Sequence, residues 1–220
     1  MRTQVQNLIA FTVQIVAADK TRVVGTGIVV SRDGKVITCS HVFEMAGVSP
    51  NGCENNMLNI CFPRNRYRDT KLCQANLIAN LSDHDDDILL LKAIDPPPLN
   101  SEQVAILGTA ELSIGNPFRS YGFRQLGDSP SGYAVGEIMG PVLPFANKKL
   151  LVEPVELRTR DVRPGMSGAG ILDVKRNLLV GLVSRRWNPG DQLANDNIAW
   201  AVDNLVLTYK PFHSVPFSND

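Results

Sequence analysis

Net charge is the first thing this chain of 220 residues lacks: 22 lysines and arginines balance 22 aspartates and glutamates. With no basic field and no basic–aromatic stripe, nucleic acid is not the expected partner, and there is no polybasic membrane anchor. Long apolar runs are missing too. No stretch reaches the ~18 residues of a membrane-spanning helix, so no membrane association is expected. The opening residues, M-R-T-Q-V-Q-N-L-I-A-F-T-V-Q-I-V, mix polar with apolar side chains and carry no small-residue cleavage site. They read as a first strand, Leu8 to Val16, and not as a secretion signal. Cysteine is scarce. Cys39, Cys53, Cys61 and Cys73 contain no C-x-x-C pair and all lie in the first third, which excludes a disulfide framework across the chain. Free thiols in a reducing, cytoplasmic compartment follow. No His-rich spacing accompanies them, and the G-T-G at 25–27 is not followed by a helix, so neither a metal nor a nucleotide cofactor is expected.

What is present is a succession of short apolar runs separated by turn residues. Arg22 to Val30 is strand-like, with Gly25 and Gly27 marking a bulge or tight bend. Asp33-Gly34 forms a hairpin turn, Lys35 to Cys39 returns, and V-F-E-M-A after His41 makes one helical turn. Residues 47–56 form an exposed loop, and Met57–Phe62, Leu72–Leu81 and Ile88–Ile94 are further strands. The three consecutive prolines of D-P-P-P-L-N-S-E cannot occupy a central strand and mark an internal boundary. Apolar runs then recur near 104–107, 118–123, 133–139, 149–157, 169–173, 178–184 and 198–202. Only V-D-N-L-V-L-T-Y-K has helical spacing, which predicts a short closing helix before a loose tail. Many short strands and hardly any helix predict an all-β fold of two small barrels. The division is 1–94, a proline-rich linker 95–102, a second barrel 103–210 and a tail 211–220.

One turn has the makings of a reactive site. In R-P-G-M-S-G-A-G, Pro164 and Gly165 bend the backbone ahead of Ser167, and Gly168 and Gly170 keep the far side small. Such a turn can expose a hydroxyl while aiming the Gly165 and Ser167 amides into one hollow. A serine needs a base, and the chain has three histidines. His213 lies in the tail, and His84 stands in the acidic loop S-D-H-D-D-D. His41 ends an apolar strand, where a side chain projects from a rigid element. A base needs an orienting carboxylate, and Asp87 sits at the mouth of the strand I-L-L-L-K. Alternation puts Asp85 on the same face as Asp87 and turns Asp86 away. The rival reading of this acidic run, a calcium loop, lacks the required spacing and glycine.

With His41, Asp87 and Ser167 in that order, 46 and 80 residues apart, the sequence resembles the trypsin-like, chymotrypsin-fold serine proteases. G-T-G-I-V-V-S-R-D-G-K-V-I-T-C-S-H-V resembles the family's histidine segment, H-D-D-D-I-L-L-L-K its aspartate segment and R-P-G-M-S-G-A-G-I its nucleophile loop. L-L-V-G-L-V-S-R-R and N-I-A-W-A-V resemble two later strands. The resemblance implies two six-stranded antiparallel barrels with the site in the cleft between them. It also implies a His41–Asp87–Ser167 triad acting on peptide bonds and an oxyanion hole made by the Gly165 and Ser167 amides. Asp161 stands where the trypsin branch has its acidic pocket floor, the Ser184 region where a strand would pair with substrate backbone, and Arg185 and Arg186 along the pocket wall. An acidic floor would select basic side chains, although the two arginines could neutralise it.

The sequence departs from the family's pattern in three places. Met166 replaces the aspartate that a newly cut N-terminus would engage, so that activation route is not expected. Gly170 replaces a proline, and no disulfide brackets His41. The style is that of the HtrA-like and intracellular bacterial members, which implies an effector domain fused to, or regulated by, a sensor or NTPase module. A catalytically silent, peptide-binding domain of the same fold is the alternative.

Overall fold

A computed structural model describes residues 6–48, 57–63, 70–80, 87–123, 130–142, 154–186, 198–208 and 215. The first barrel is built from β1 (Thr12–Val16), β2 (Val23–Val29), β3 (Lys35–Thr38), β4 (Met57–Pro63), β5 (Thr70–Asn80) and β6 (Leu89–Ala93). These run antiparallel in the order β1-β2-β3-β6-β5-β4, and β1 closes against β4. The second barrel repeats the plan with β7 (Pro117–Phe123), β8 (Ser131–Pro141), β9 (Pro154–Arg158), β10 (Gly170–Asp173), β11 (Leu178–Arg186) and β12 (Ile198–Asp203). Its order is β10-β11-β12-β9-β8-β7, closed by β10 on β7. The all-β, two-barrel fold is therefore as expected, and closure leaves neither sheet with a free edge.

Alternation decides which side chains fill each barrel. In β7, Phe118, Ser120 and Gly122 are buried while Pro117 and Arg119 are exposed. In the first barrel Val13, Ile15, Ile28, Val36, Ile60 and Leu91 are wholly buried. Gly27 is small because a Cβ there would lie 2.8 Å from Val36 Cγ1. The irregularity expected at these glycines is a register shift between Ile15 and Val16, opposite Gly25 and Val23. At the hairpin, Gly34 has φ +87° and donates to Ser31 O (3.1 Å).

The two barrels are joined by packing and backbone bonding together. Leu172, Leu179, Leu182, Val202, Val206 and Leu207 of the second half belong to one apolar cluster with the first barrel's interior. The predicted strand at 104–107 forms only a single bridge, Leu107 to Leu179. Its backbone serves both sides: Ala105 N donates to Val29 O (2.9 Å), while Ile106 O accepts from Leu179 N (2.9 Å). Ahead of it, Asn100 caps a 3-10 turn, Ser101–Gln103, in a reciprocal capping box.

Two expectations need correction. Leu8–Phe11 is a helical turn, α1, because the Asn7 side chain accepts from Ile9 N and nucleates it; the strand begins at Thr12. The closing helix is only a 3-10 turn, Asn204–Thr208. Val202 and Asp203 are taken by β12, and the Asp203 carboxylate receives Leu205 N (2.9 Å) as the chain turns. The helical turn after His41 is present as α2, Ser40–Met45. The 47–56 loop lies outside the described residues from 49 onward, as does the tail apart from Val215. No helix among the described residues is long and apolar enough to cross a membrane.

Candidate active site

His41 stands in the first turn of α2, immediately beyond β3, with Val42 and Phe43 buried to anchor the turn. Asp87 lies just before β6, the neighbour of β3, so paired strands deliver the two side chains to one rim. The imidazole Nδ1 is 2.7 and 2.8 Å from the two oxygens of Asp87, and the His41 amide donates to Oδ1 (3.1 Å). An ionised carboxylate only accepts, so Nδ1 carries the proton, and in the neutral imidazole Nε2 is the accepting nitrogen. Asp87 is 4% exposed. Burial pushes its carboxyl up, but hydrogen bonding and charge from His41, with a hydrogen bond from Ser184, outweigh it and hold the group below the ordinary carboxylate value.

Ser167 comes from the opposite barrel. Its turn is closed by Met166 N to Arg163 O (3.1 Å) and Ala169 N to Met166 O (2.9 Å), with Gly165 at φ +91° and Gly168 at φ +83°. Gly168 N donates to Val183 O (2.8 Å) and Ser167 O accepts from Thr26 N (2.9 Å), tying the turn to β11 and to β2. Met166 is wholly buried in the second core, an environment suited to a thioether and closed to an unpaired carboxylate. Neither the Gly165 nor the Ser167 amide donates to a backbone carbonyl among the described residues.

The predicted residues converge on Ser184. Its hydroxyl donates to Asp87 Oδ2, and its carbonyl accepts from the Ser167 hydroxyl (3.3 Å). His41, Asp87 and Ser167 thus surround one residue of β11. The resemblance sets the Ser184 region against substrate backbone; the structure adds a hydroxyl turned to the Asp87 carboxylate. Asp161 is half-buried, and its carboxylate accepts from Val135 N (3.2 Å) of β8. Arg185 and Arg186 pair through their backbones with Trp200 and Ala199. Their side chains lie outside the described set, as do His84, Asp85, Asp86 and His213.

Sequence reasoning passes over three residues. Thr38 Oγ1 donates to Thr26 O (2.7 Å), and Thr26 bonds to the Ser167 turn through Gly165 O. Cys39 Sγ donates to Val183 O (3.3 Å) and lies with the His41 and Asp87 donor atoms inside 4.8 Å, where Nδ1 and the carboxylate are already bonded to each other.

Against this geometry, the family profile described as trypsin-like peptidase domain matches residues 25–182. The chain belongs to that family. The matched part of this trypsin-like peptidase runs from Gly25 to Leu182 and contains His41, Asp87 and Ser167. A search of curated protein sequences finds no match. Among solved structures it is similar to the Rv3671c protease, inactive form, a protein of M. tuberculosis H37Rv. That comparison has TM-score 0.61 and 19% identity, covering 91% of this chain and 87% of that one. The MamO protease domain of Magnetospirillum magneticum gives TM-score 0.63 at 13% identity, covering 91% and 95%. A serine endoprotease of Yersinia pestis gives 0.61 at 17%, covering 94% and 65%. At these identities the likeness speaks for the fold.

Proposed function

We propose that this serine protease is an endopeptidase whose triad is Ser167, His41 and Asp87. The observation that carries the reading is the double role of Ser184, which bonds the Asp87 carboxylate with its hydroxyl and the Ser167 hydroxyl with its carbonyl. A turn about the Ser167 Cα–Cβ bond moves its proton from Ser184 O to His41 Nε2, and Ser184 O is freed for a substrate amide. The oxygen attacks the scissile carbonyl carbon as Nε2 takes the proton, and Asp87 stabilises the imidazolium. The carbonyl oxygen becomes an oxyanion facing the Gly165 and Ser167 amides. Its collapse breaks the C–N bond, and His41 returns the proton to the leaving amine. Water then repeats the cycle on the acyl-enzyme.

For the primary pocket, Asp161 selects lysine or arginine. What supports this is a carboxylate held half-buried against β8, six residues ahead of the nucleophile. The reducing, cytoplasmic setting rests on Cys39, Cys61 and Cys73, buried cysteines that form no disulfide among the described residues. The role as effector of a sensor or NTPase module rests on the HtrA-like style of its motifs. A silent, peptide-binding domain of the same fold is the alternative.

Cleavage of a peptide library read by mass spectrometry separates these readings. The peptidase cuts after basic residues, loses all cleavage in Ser167→Ala and loses its basic preference at least tenfold in Asp161→Asn. Peptide binding without turnover, unchanged in Ser167→Ala, identifies the silent domain.

A further inference from the structure

In β2, Gly25 and Gly27 face the interior of the first barrel, where added Cβ atoms would meet Val42 and Val36. Alternation therefore sends the Thr26 side chain the other way, toward the second barrel. There it is wholly buried. Its Oγ1 accepts from Phe123 N (3.1 Å), the last residue of β7. An amide can only donate, so the hydroxyl's own proton is committed to Gly165 O (3.2 Å). The same residue's amide donates to Ser167 O (2.9 Å), and Thr38 Oγ1 steadies it from behind through Thr26 O (2.7 Å).

These bonds fall on alternate peptide planes of the nucleophile turn. Thr26 Oγ1 holds the Gly165–Met166 plane, and Thr26 N holds the Ser167–Gly168 plane. The Met166–Ser167 plane, which carries the Ser167 donor, lies between them. The Pro164–Gly165 plane, which carries the other donor, pivots on Gly165 at φ +91°. Glycine resists rotation less than any other residue, so this pivot is where the turn needs an outside hold.

We propose that Thr26 is a positioning residue for the oxyanion-binding turn, its hydroxyl locking the Gly165 carbonyl so that both backbone donors stay aimed at one point. This rests on Ser167 being the nucleophile. Removing the hydroxyl leaves Phe123 N and Gly165 O without their partner and the donors free to drift, a loss felt where the oxyanion forms.

The test compares wild type, Thr26→Val, Thr26→Ser and Thr26→Ala by steady-state kinetics on a peptide ester and by hydrogen exchange over residues 163–169. Thr26→Val keeps the shape and loses the hydroxyl; Thr26→Ala makes the same comparison if the valine variant does not fold. We expect kcat to fall about ten- to thirtyfold with KM within about twofold. Serine restores kcat to within about threefold, and faster exchange is confined to the turn. Unchanged kcat in Thr26→Val, an equal loss in Thr26→Ser, or unchanged exchange overturns the proposal. If wild type shows no Ser167-dependent turnover, the peptidase reading fails separately. The exchange measurement then decides: faster exchange limited to 163–169 upholds the lock, and none overturns it.

Discussion

Substituting Gly168 by alanine isolates the contact that seats the nucleophile turn on the first barrel. At φ +83° an alanine is strained by about 1–2 kcal/mol whatever its surroundings. Its Cβ would also lie 2.6 Å from Thr38 Oγ1 and nearer still to the Thr26 carbonyl oxygen, where ordinary contacts begin at 3.4 Å. Backbone cannot rotate aside as a side chain can, so the turn must lift away. Lifting weakens Thr26 N to Ser167 O and Gly168 N to Val183 O, each worth about 1 kcal/mol. With an overpacking cost of about 1–3 kcal/mol, the substitution should destabilise the protein by about 3–6 kcal/mol. Gly47 supplies the control. It has nearly the same φ, +84°, and an added Cβ would meet nothing within 4 Å, so Gly47→Ala should lose only the strain, about 1–2 kcal/mol. Urea unfolding followed by fluorescence measures both. A Gly168→Ala protein no less stable than Gly47→Ala would refute the docking of the turn on β2.

Two further outcomes follow from the carboxylate at the centre of the site. Ser184→Ala removes a donor to Asp87 and should lower kcat about three- to tenfold while leaving the fold intact; unchanged kcat would show that the hydroxyl has no part in ordering the site. Asp87→Asn should cut kcat about ten-thousandfold, since the amide cannot hold the imidazole in the required tautomer. Because the native carboxyl titrates below its ordinary value, its contribution to stability is complete above about pH 4 and fades as pH falls through the native pKa. The unfolding penalty of Asp87→Asn, about 1–3 kcal/mol at pH 7, should therefore shrink at pH 3. An equal penalty at both pH values contradicts the assignment.

The spacing of short apolar runs makes the barrels legible in the sequence, because closed sheets need alternation in every strand and turn residues between strands. His41, Asp87 and Ser167 stand out as candidates for a related reason. Each sits where a strand ends or a Pro-Gly turn begins, so local pattern predicts a projecting side chain. Leu8–Phe11 is not legible, since L-I-A-F suits a strand as well as a helical turn and Asn7 decides between them only by bonding Ile9 N. Val202–Lys210 carries helical spacing, yet pairing of Val202 with Leu182 and Pro154 draws its start into β12. Thr26, and the contact that the Ser184 hydroxyl makes, are hidden differently. What each does depends on a partner more than ninety positions away, Gly165 or Asp87, and no local pattern encodes that.

The most direct test of the central claim is covalent labelling with a fluorophosphonate, read as intact mass between pH 6 and 9. A hydroxyl activated by an imidazole from the other barrel should give one adduct, mapped to Ser167, in wild type and none in Ser167→Ala or His41→Ala. An unlabelled wild type, or an adduct that persists in His41→Ala, would contradict it.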